Sequence, residues 1–482
     1  ATTAGATTPG SAPSDSPPGS RSRTAGPALV HRGVGRTLVG MAVPMLAGTF
    51  AMNAYSITDT WFVSQLGTRP LAAMSFTFPV VMMISCVAGG LGNGLTMLVS
   101  HALGRGDRTT AARLTTHGLL LMVAVTLTLA GLGMVFIGPI FRQLGVDDAT
   151  LPLVEQYMNI WFAGALTMSL PHVGNGILIS LGDSRAASRL MVLGTVLNAI
   201  LDPIMIFGLL GFPRLEMRGA ALATVISQAT SALWLLTLLA RKHGLLQSPG
   251  GIVRDCLPSW RRIVAMGSPS ILSMMLMPLS ASVITRLLGG FGHEAVAAAG
   301  AAGRIEMFAF VIPMALGMSL TPFMSQNFGA RRLDRIREAL RLAMIFALLY
   351  GALMTALFVT LAPWIASWFT QDPKVAAIFV TYTRIIAFGY GALEVQRYGS
   401  FTLNGLHKPL SSTAISVIRV LVVLIPLSTL GVRVDGIRGL FAARLITDLS
   451  CGTLSILWAW WAVRRVTAAL ALSGSSGSTP RR

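Results

Sequence analysis

Residues 46–67 read LAGTFAMNAYSITDTWFVSQLG, an apolar stretch in which Tyr55 and Asp59 lie four positions apart. Of the 482 residues, 53% are hydrophobic and only 11% are charged. Apolar runs of about 18 or more residues recur along the chain, which is typical of membrane-spanning helices. The sequence therefore predicts an all-α polytopic membrane protein with twelve transmembrane helices (spans 1–12), at roughly 36–62, 72–100, 114–137, 152–181, 187–211, 219–240, 263–289, 296–325, 339–365, 376–404, 410–431 and 437–463.

The net charge of +19 does not indicate a nucleic-acid partner, because the basic residues follow the membrane topology. Most of the 37 Lys and Arg lie in the two tails and the even-numbered connections. This positive-inside pattern predicts a multi-pass protein of the cell's inner (plasma) membrane with both termini cytoplasmic. We expect its partners to be membrane lipids and small molecules, and we expect a monomer.

The ends of the chain and its midpoint differ in composition from the spans. Residues 1–35 are rich in Ala, Thr, Gly, Ser and Pro and predict a disordered cytoplasmic tail without a signal peptide. We place a cytoplasmic linker at 241–262 and a second disordered tail at 464–482. The remaining chain divides into an N-lobe, 36–240, and a C-lobe, 263–463.

The two lobes are an internal repeat. VGMAVP at 39–44 returns as VAMGSP at 264–269, and RGAALATVIS at 218–227 returns as RGLFAARLIT at 438–447. Each copy holds six spans, an even number, so both copies have the same orientation. Their pseudo-symmetry axis should lie along the membrane normal, with a central cavity between the lobes.

The repeat also shows which polar residues the scaffold does not need. Asp59 corresponds to Ile284, and Asp202 corresponds to Ile425. Because isoleucine suffices at both positions in the C-lobe, neither acid is required for packing. The asymmetry indicates a functional task for Asp59 and Asp202.

Each of these acids has a neutral polar partner one turn away on its own helix. Tyr55 precedes Asp59, and Asn198 precedes Asp202. A carboxylate at the bilayer centre costs roughly 2.5–3.5 kcal/mol on insertion scales, so these groups should face an interior or a wet cavity. Two carboxylates in one site of low dielectric could share a proton, and the same oxygens could bind Na⁺. The alternative is an interhelical hydrogen bond that only holds spans 1 and 5 together.

Other polar or adaptable residues are weaker candidates for substrate contact. His172 lies in span 4, where a lone histidine is more often structural than part of a coupling or binding site. Glu394 in span 10 could meet a cationic substrate or could pair with Arg397 on its own helix. Glu306 has Arg304 nearby and is expected to be structural. Met275 could contribute to an adaptable apolar wall or simply belong to the core.

The motifs together resemble those of one transporter family. The set comprises Y-x-x-x-D followed by LG in span 1, N-x-x-x-D-P in span 5 and GAALAT at the start of span 6. In this order they are similar to the multidrug and toxic compound extrusion (MATE) transporters. The resemblance covers about residues 36–463.

This resemblance implies a role for further residues. The family's ion-coupling site falls on Tyr55, Asp59, Asn175, Asn198, Asp202 and Thr224. Pro44 resembles the proline at which span 1 bends. His172 replaces an asparagine that members often carry, and span 7 lacks the acid that would pair with Glu394 in a C-lobe Na⁺ site.

We therefore expect an antiporter, not an enzyme, that exports organic compounds, often cationic or lipophilic drugs, in exchange for H⁺ or Na⁺ by alternating access. No cofactor is expected beyond the coupling ion, and no metal site other than Na⁺ at Asp59, Asp202 and Asn198. The alternative within the superfamily is a lipid-linked oligosaccharide flippase, which should line its cavity with cationic residues. A membrane-embedded enzyme is disfavoured because the chain has no recognisable catalytic or metal-binding motif.

Overall fold

The computed structural model describes residues 29–247 and 256–475, which are helical apart from short connections. Nine helices there are long and apolar enough to cross a membrane, and two further pairs form bent spans. The bounds are Val34–Ser64, Thr68–Gly104, Arg108–Val135, Leu151–Ala163 with Ala165–Ser180, Ser184–Phe207, Met217–Lys242, Cys256–Gly289, His293–Ala309 with Val311–Gly329, Leu333–Phe369, Pro373–Gly405, and Pro409–Ala469. A short helix, Ile137–Gln143, follows span 3.

The last of these helices comprises two spans. Its 61 residues would extend about 90 Å at 1.5 Å per residue, three times the hydrocarbon thickness of a bilayer. The helical dihedral angles are lost at Asp435 and Gly436, and the chain turns back there. Gly431 and Gly439 pack backbone to backbone across this turn, where a Cβ on either would overlap the other's carbonyl. The predicted twelve spans are thereby confirmed.

The bend of span 4 has a counterpart in the repeat, whereas the bend of span 8 has none, since span 2 is continuous over Thr68–Gly104. Span 4 bends by 55° next to Gly164, where a Cβ would overlap Val225 of span 6. Gly389 occupies the corresponding position in span 10, and the helix there tightens to a 3-10 turn over Ala387–Gly389. Span 8 bends by 54° at Phe310.

The helices pack as two lobes, as predicted. In the N-lobe, span 1 packs on span 5 and span 5 on span 6. In the C-lobe, span 9 packs on span 10, and span 10 packs on the hairpin of spans 11 and 12. Contacts between the lobes are made chiefly by span 2 with spans 7 and 8, and by span 1 with span 8.

The lobes are closed together at one end, which we call the inner end because the charge pattern predicts it to be cytoplasmic. There span 2 crosses span 8 at Gly104 and Gly329, with the backbones in direct contact. Ser325 Oγ donates a hydrogen bond to the Met97 carbonyl at 2.7 Å, and Gln326 Nε2 donates to the Ser180 carbonyl at 3.2 Å. We call this contact the inner seal.

Toward the outer end the lobes separate. The rings of Phe50 in span 1 and Phe308 in span 8 approach to 6.2 Å between centroids, yet both side chains are largely exposed. We call the space between the outer halves of the lobes the outer gap. The chain is thus arranged with its inner end shut and its outer end open.

The segment before span 1 packs into the inner seal. Leu29 is buried, its backbone N–H donates to Gln326 Oε1 at 2.9 Å, and Arg335 Nη2 donates to its carbonyl at 3.1 Å. Residues 1–28 of the tail predicted at 1–35 lie outside the described residues, as do 248–255 of the linker and 476–482 of the second tail. The last span extends as helix to Ser475, so it includes the first twelve residues of the tail predicted at 464–482.

Candidate functional site

A cavity of about 550 Å³ lies in the N-lobe and opens toward the outer half of span 2. Its walls come from spans 1, 2, 4 and 6, and its lining is mostly aromatic and hydroxyl-bearing. The lining includes Tyr55, Asp59, Phe78, Tyr157, Trp161 and Thr224. Neither lysine nor arginine occurs in this lining, in contrast to the cationic cavity expected of a flippase.

The residues predicted from the cost of inserting a carboxylate into the bilayer and from the difference between the two repeats come together beside this cavity. Tyr55 Oη donates to Thr224 Oγ1 at 3.0 Å, which joins span 1 to span 6. Asn198 Nδ2 lies 3.2 Å from Asp202 Oδ1 and 3.4 Å from Thr224 Oγ1, so span 5 enters the same network. Asp59, one turn along from Tyr55, lines the cavity and is only 5% exposed.

The local sequence explains why these spans approach so closely. Gly194 in span 5 allows the Ser231 hydroxyl of span 6 to approach, because a Cβ there would lie 3.1 Å from it. Pro203 follows Asp202 inside the helix and has no N–H to donate to the Ala199 carbonyl. The i,i+4 spacing then places Asn198 and Asp202 on the helix face that meets span 6.

Four buried oxygens of the predicted ion-coupling residues have no hydrogen-bond partner among the described residues. They are Asp59 Oδ1, Asn175 Oδ1, Asn198 Oδ1 and Asp202 Oδ2. Buried polar groups in proteins are nearly always paired, so four free acceptors among the predicted ion-coupling residues are unusual. Each of these oxygens lacks a hydrogen-bond donor or a cation, and a bound proton or Na⁺ ion could provide one.

The other predicted residues lie at varying distances from the cavity. His172 lines it and is close to Gly89 of span 2, whereas Asn175, one turn further along span 4, is not part of the lining. Met275 is 37% exposed on span 7, and it is its neighbour Met274 that reaches Gly89. Pro44 lies within an uninterrupted helix, Val34–Ser64.

Glu394 lies deep in the C-lobe. Its side chain is fully buried and its Oε1 is 3.0 Å from Arg397 Nη1. This is the i,i+3 ion pair that the sequence allowed as one of two alternatives for Glu394. Contact with substrate stays a prediction for this residue.

A buried charge network in the C-lobe was missed at the level of sequence. Arg444 Nη2 donates to Glu306 Oε2 at 2.8 Å, and Arg419 Nη2 donates to Asp448 Oδ1 at 2.8 Å. The proximity of Arg304 to Glu306 in sequence was misleading, since Arg304 is exposed and Glu306 pairs with Arg444 instead. The expectation that Glu306 is structural agrees with this geometry.

The repeat relates this network to the N-lobe cavity. Val81, Tyr157, Thr224 and Gln228 all line the cavity, and their repeat partners are Glu306, Tyr382, Arg444 and Asp448. The C-lobe network therefore occupies the place where the N-lobe has its cavity. The alignment of RGAALATVIS with RGLFAARLIT already pairs Thr224 with Arg444, and this was the signal that could have revealed it.

The two lobes match one family model in succession. The MatE model matches residues 44–204 and again 269–430. The chain belongs to the MATE family of membrane transporters. The predicted family is confirmed, and each match falls within one lobe.

Relatives of this MATE transporter extend over nearly the whole chain. A protein of Shewanella oneidensis named FAD transporter is 37% identical over 88% of this chain and 94% of its own length. The multidrug export protein MepA of Staphylococcus haemolyticus is 24% identical over 90% of this chain and 94% of its own.

Solved structures agree with the architecture. The Vibrio cholerae MATE transporter VcmN in the bent form superposes with a TM-score of 0.86 at 29% identity, covering 90% of this chain and 98% of its own. A multidrug resistance MATE transporter described as outward-facing superposes at 0.84 with 25% identity, covering 92% of this chain and 99% of its own.

Proposed function

We propose that this MATE transporter is a secondary active exporter that couples the outward movement of small organic compounds to the inward movement of H⁺ or Na⁺. One contrast between the lobes supports this proposal. In the C-lobe, Glu306, Glu394 and Asp448 each lie beside an arginine. In the N-lobe, Asp59 and Asp202 have no cationic partner among the described residues.

Two unbalanced carboxylates, Asp59 in the cavity lining and Asp202 buried nearby, attract whatever cation can enter the cavity. A proton, a Na⁺ ion and an organic cation all satisfy this need, and they would compete for it. Competition of this kind is the basis of exchange, since ion binding from outside favours release of the substrate. Alternation would then open the inner seal and close the outer gap, with the protein in the plasma membrane as a monomer and both termini cytoplasmic.

Asp59→Asn tests the coupling directly. The isostere keeps the shape and removes the charge, so the variant should insert normally and lose ion-driven export. Purified protein in liposomes would be given a pH gradient or a Na⁺ gradient separately, and transport of a fluorescent organic cation would be followed. We expect Asp59→Asn to fall to the background of empty liposomes.

Asp148→Asn is a matched control, because Asp148 is an exposed acid paired only with Arg142 outside the spans. It should transport at the wild-type rate. Full transport by Asp59→Asn would contradict the proposal, and transport driven only by Na⁺ would exclude H⁺ as the coupling ion.

A second substrate class is a flavin dinucleotide. The observation that favours it is the relative named FAD transporter, which matches this chain at 37% identity over nearly its full length. The aromatic lining of the N-lobe cavity suits a flat ring system as well as it suits an organic cation. Including FAD among the compounds in the same liposome assay separates the two classes.

A further inference from the structure

Arg304 is an exposed arginine inside a membrane span. It lies in the outer half of span 8, within His293–Ala309, and none of the other described residues forms an ion pair or hydrogen bond with it. Glu306, two positions on, points into the C-lobe and pairs with Arg444. The guanidinium of Arg304 is thus directed away from the C-lobe network.

The direction of this side chain follows from its neighbour one turn further along. Phe308 contacts Phe50 of the N-lobe across the outer gap. Residues at i and i+4 share a helix face, so Arg304 is directed toward the same gap, one turn nearer the outer end. An arginine in a span costs roughly 2.5–3.5 kcal/mol on insertion scales, which favours a wet gap between lobes over lipid as its surroundings.

The repeat provides a control for this position as well. Arg304 corresponds to Pro79 in span 2, which is also exposed. The scaffold therefore folds without a cation here. The pseudo-twofold axis along the membrane normal places these two positions on opposite walls at a similar depth. On the N-lobe wall, Pro79 adjoins Phe78, which lines the cavity.

The two walls have complementary chemistry. The N-lobe cavity presents the rings of Tyr55, Phe78, Tyr157 and Trp161, which bind flat aromatic systems. Arg304 offers a planar fork of N–H donors, which matches the oxygens of a phosphate group. A phosphate held on the C-lobe wall would also remain apart from Asp59 and Asp202, whose charges would repel it.

We propose that Arg304 binds the phosphate group of a substrate whose aromatic ring occupies the N-lobe cavity. This assignment rests on the proposed export of small organic compounds and specifies the class as aromatic phosphates, of which flavin nucleotides are one kind. The interaction discriminates between compounds that share a ring and differ in phosphate.

Binding measurements without any ion gradient test the assignment. Wild-type protein in lipid nanodiscs would be titrated with FAD and with riboflavin, which has the same ring and no phosphate. We expect tighter binding of FAD, and we expect Arg304→Gln to weaken FAD binding about 10- to 100-fold while leaving riboflavin unchanged. Arg304→Lys should retain part of the preference, since it keeps the charge and loses the fork.

Arg142→Gln is the control, because it removes one positive charge from an exposed residue in the connection between spans 3 and 4. It should bind both ligands as the wild type does. Equal affinity of the wild type for FAD and riboflavin, or equal weakening of both by Arg304→Gln, would overturn the assignment. Because no gradient is used, failure of ion-driven export in liposomes would refute the proposed function and leave this binding result standing.

Discussion

The inner seal makes a quantitative prediction about the conformational equilibrium. Gln326 is 1% exposed, and its side chain forms two of the bonds there: Nε2 donates to Ser180 of the N-lobe, and Oε1 accepts from the backbone of Leu29. Leucine has a similar size and can make neither bond. The Ser180 carbonyl and the Leu29 amide would then be buried without partners when the seal is closed.

Each unsatisfied buried group costs about 1–3 kcal/mol, so the two groups left by Gln326→Leu should destabilise the closed seal by about 2–6 kcal/mol. The penalty largely disappears when the inner end opens, because water can reach both groups. Because 1.4 kcal/mol corresponds to a factor of ten, the ratio of open to closed inner ends should rise by roughly 30-fold to 20,000-fold. A seal that is closed in the wild type should then open in a measurable fraction of molecules.

Distances between spin labels on the two lobes report this change. Arg185 and Arg337 are exposed residues near the inner end, on span 5 and span 9, and can carry the labels after Cys86, Cys256 and Cys451 are replaced by serine. The wild type should show one short distance. Gln326→Leu should add a longer one.

Gln396→Leu is the matched control, because the Gln396 side chain bonds only Ser400 within its own helix. It should leave the distance distribution unchanged. If Gln326→Leu also leaves it unchanged, or if both variants lengthen it alike, the hydrogen bonds of Gln326 do not hold the inner end shut.

Two further predictions concern stability. Glu306→Gln removes the acid that pairs with Arg444, whose side chain is a quarter exposed, and should lower the free energy of unfolding by about 2–4 kcal/mol in thermal unfolding experiments. Glu216→Gln removes the acid of an exposed pair and should lower it by less than about 0.5 kcal/mol. A similar loss of stability in both variants would show that the Glu306–Arg444 pair contributes no more than an exposed ion pair does. Hydrogen bonds from His243 and then Lys242 hold the pKa of the Asp183 carboxyl well below its usual range. The ionised carboxylate therefore stabilises the folded protein when the pH is above its unfolded pKa of about 4, and this stabilisation is lost as the pH falls toward the lower pKa of the folded state. Asp183→Asn keeps the helix cap at Ala186 and should make the melting temperature less dependent on pH between about 6 and 3; an identical pH dependence in both proteins would refute this role.

The spans and the two lobes could be predicted from sequence because their causes are local and periodic. Apolar length defines a span, and the repeat defines the lobes. Asp59 and Asp202 could be found because the second copy of the repeat has isoleucine at both positions, which separates the needs of packing from those of function. The i,i+3 pair of Glu394 and Arg397 is equally local, and it forms.

Contacts between distant spans could not be predicted in this way. The sequence places Arg304 near Glu306, yet residues two positions apart on a helix point in nearly opposite directions. Its true partner, Arg444, is 138 residues away. The packing of Leu29 into the inner seal likewise depends on Gln326 and Arg335, whereas the composition of the preceding residues indicates only disorder.

The difference between the lobes also limits the work that one transport cycle can do. The C-lobe acids are balanced by arginines, so on the proposed coupling the carboxylates that exchange protons are Asp59 and Asp202, which together carry at most two in each cycle. A charge crossing 100 mV supplies about 2.3 kcal/mol, which sustains a concentration ratio of about 50 for one proton and about 2000 for two. A monovalent organic cation leaving against the same voltage uses one of these charges, whereas a neutral compound uses none. On the proposed coupling, the number of unbalanced carboxylates would therefore set the steepest gradient against which each kind of compound can be exported.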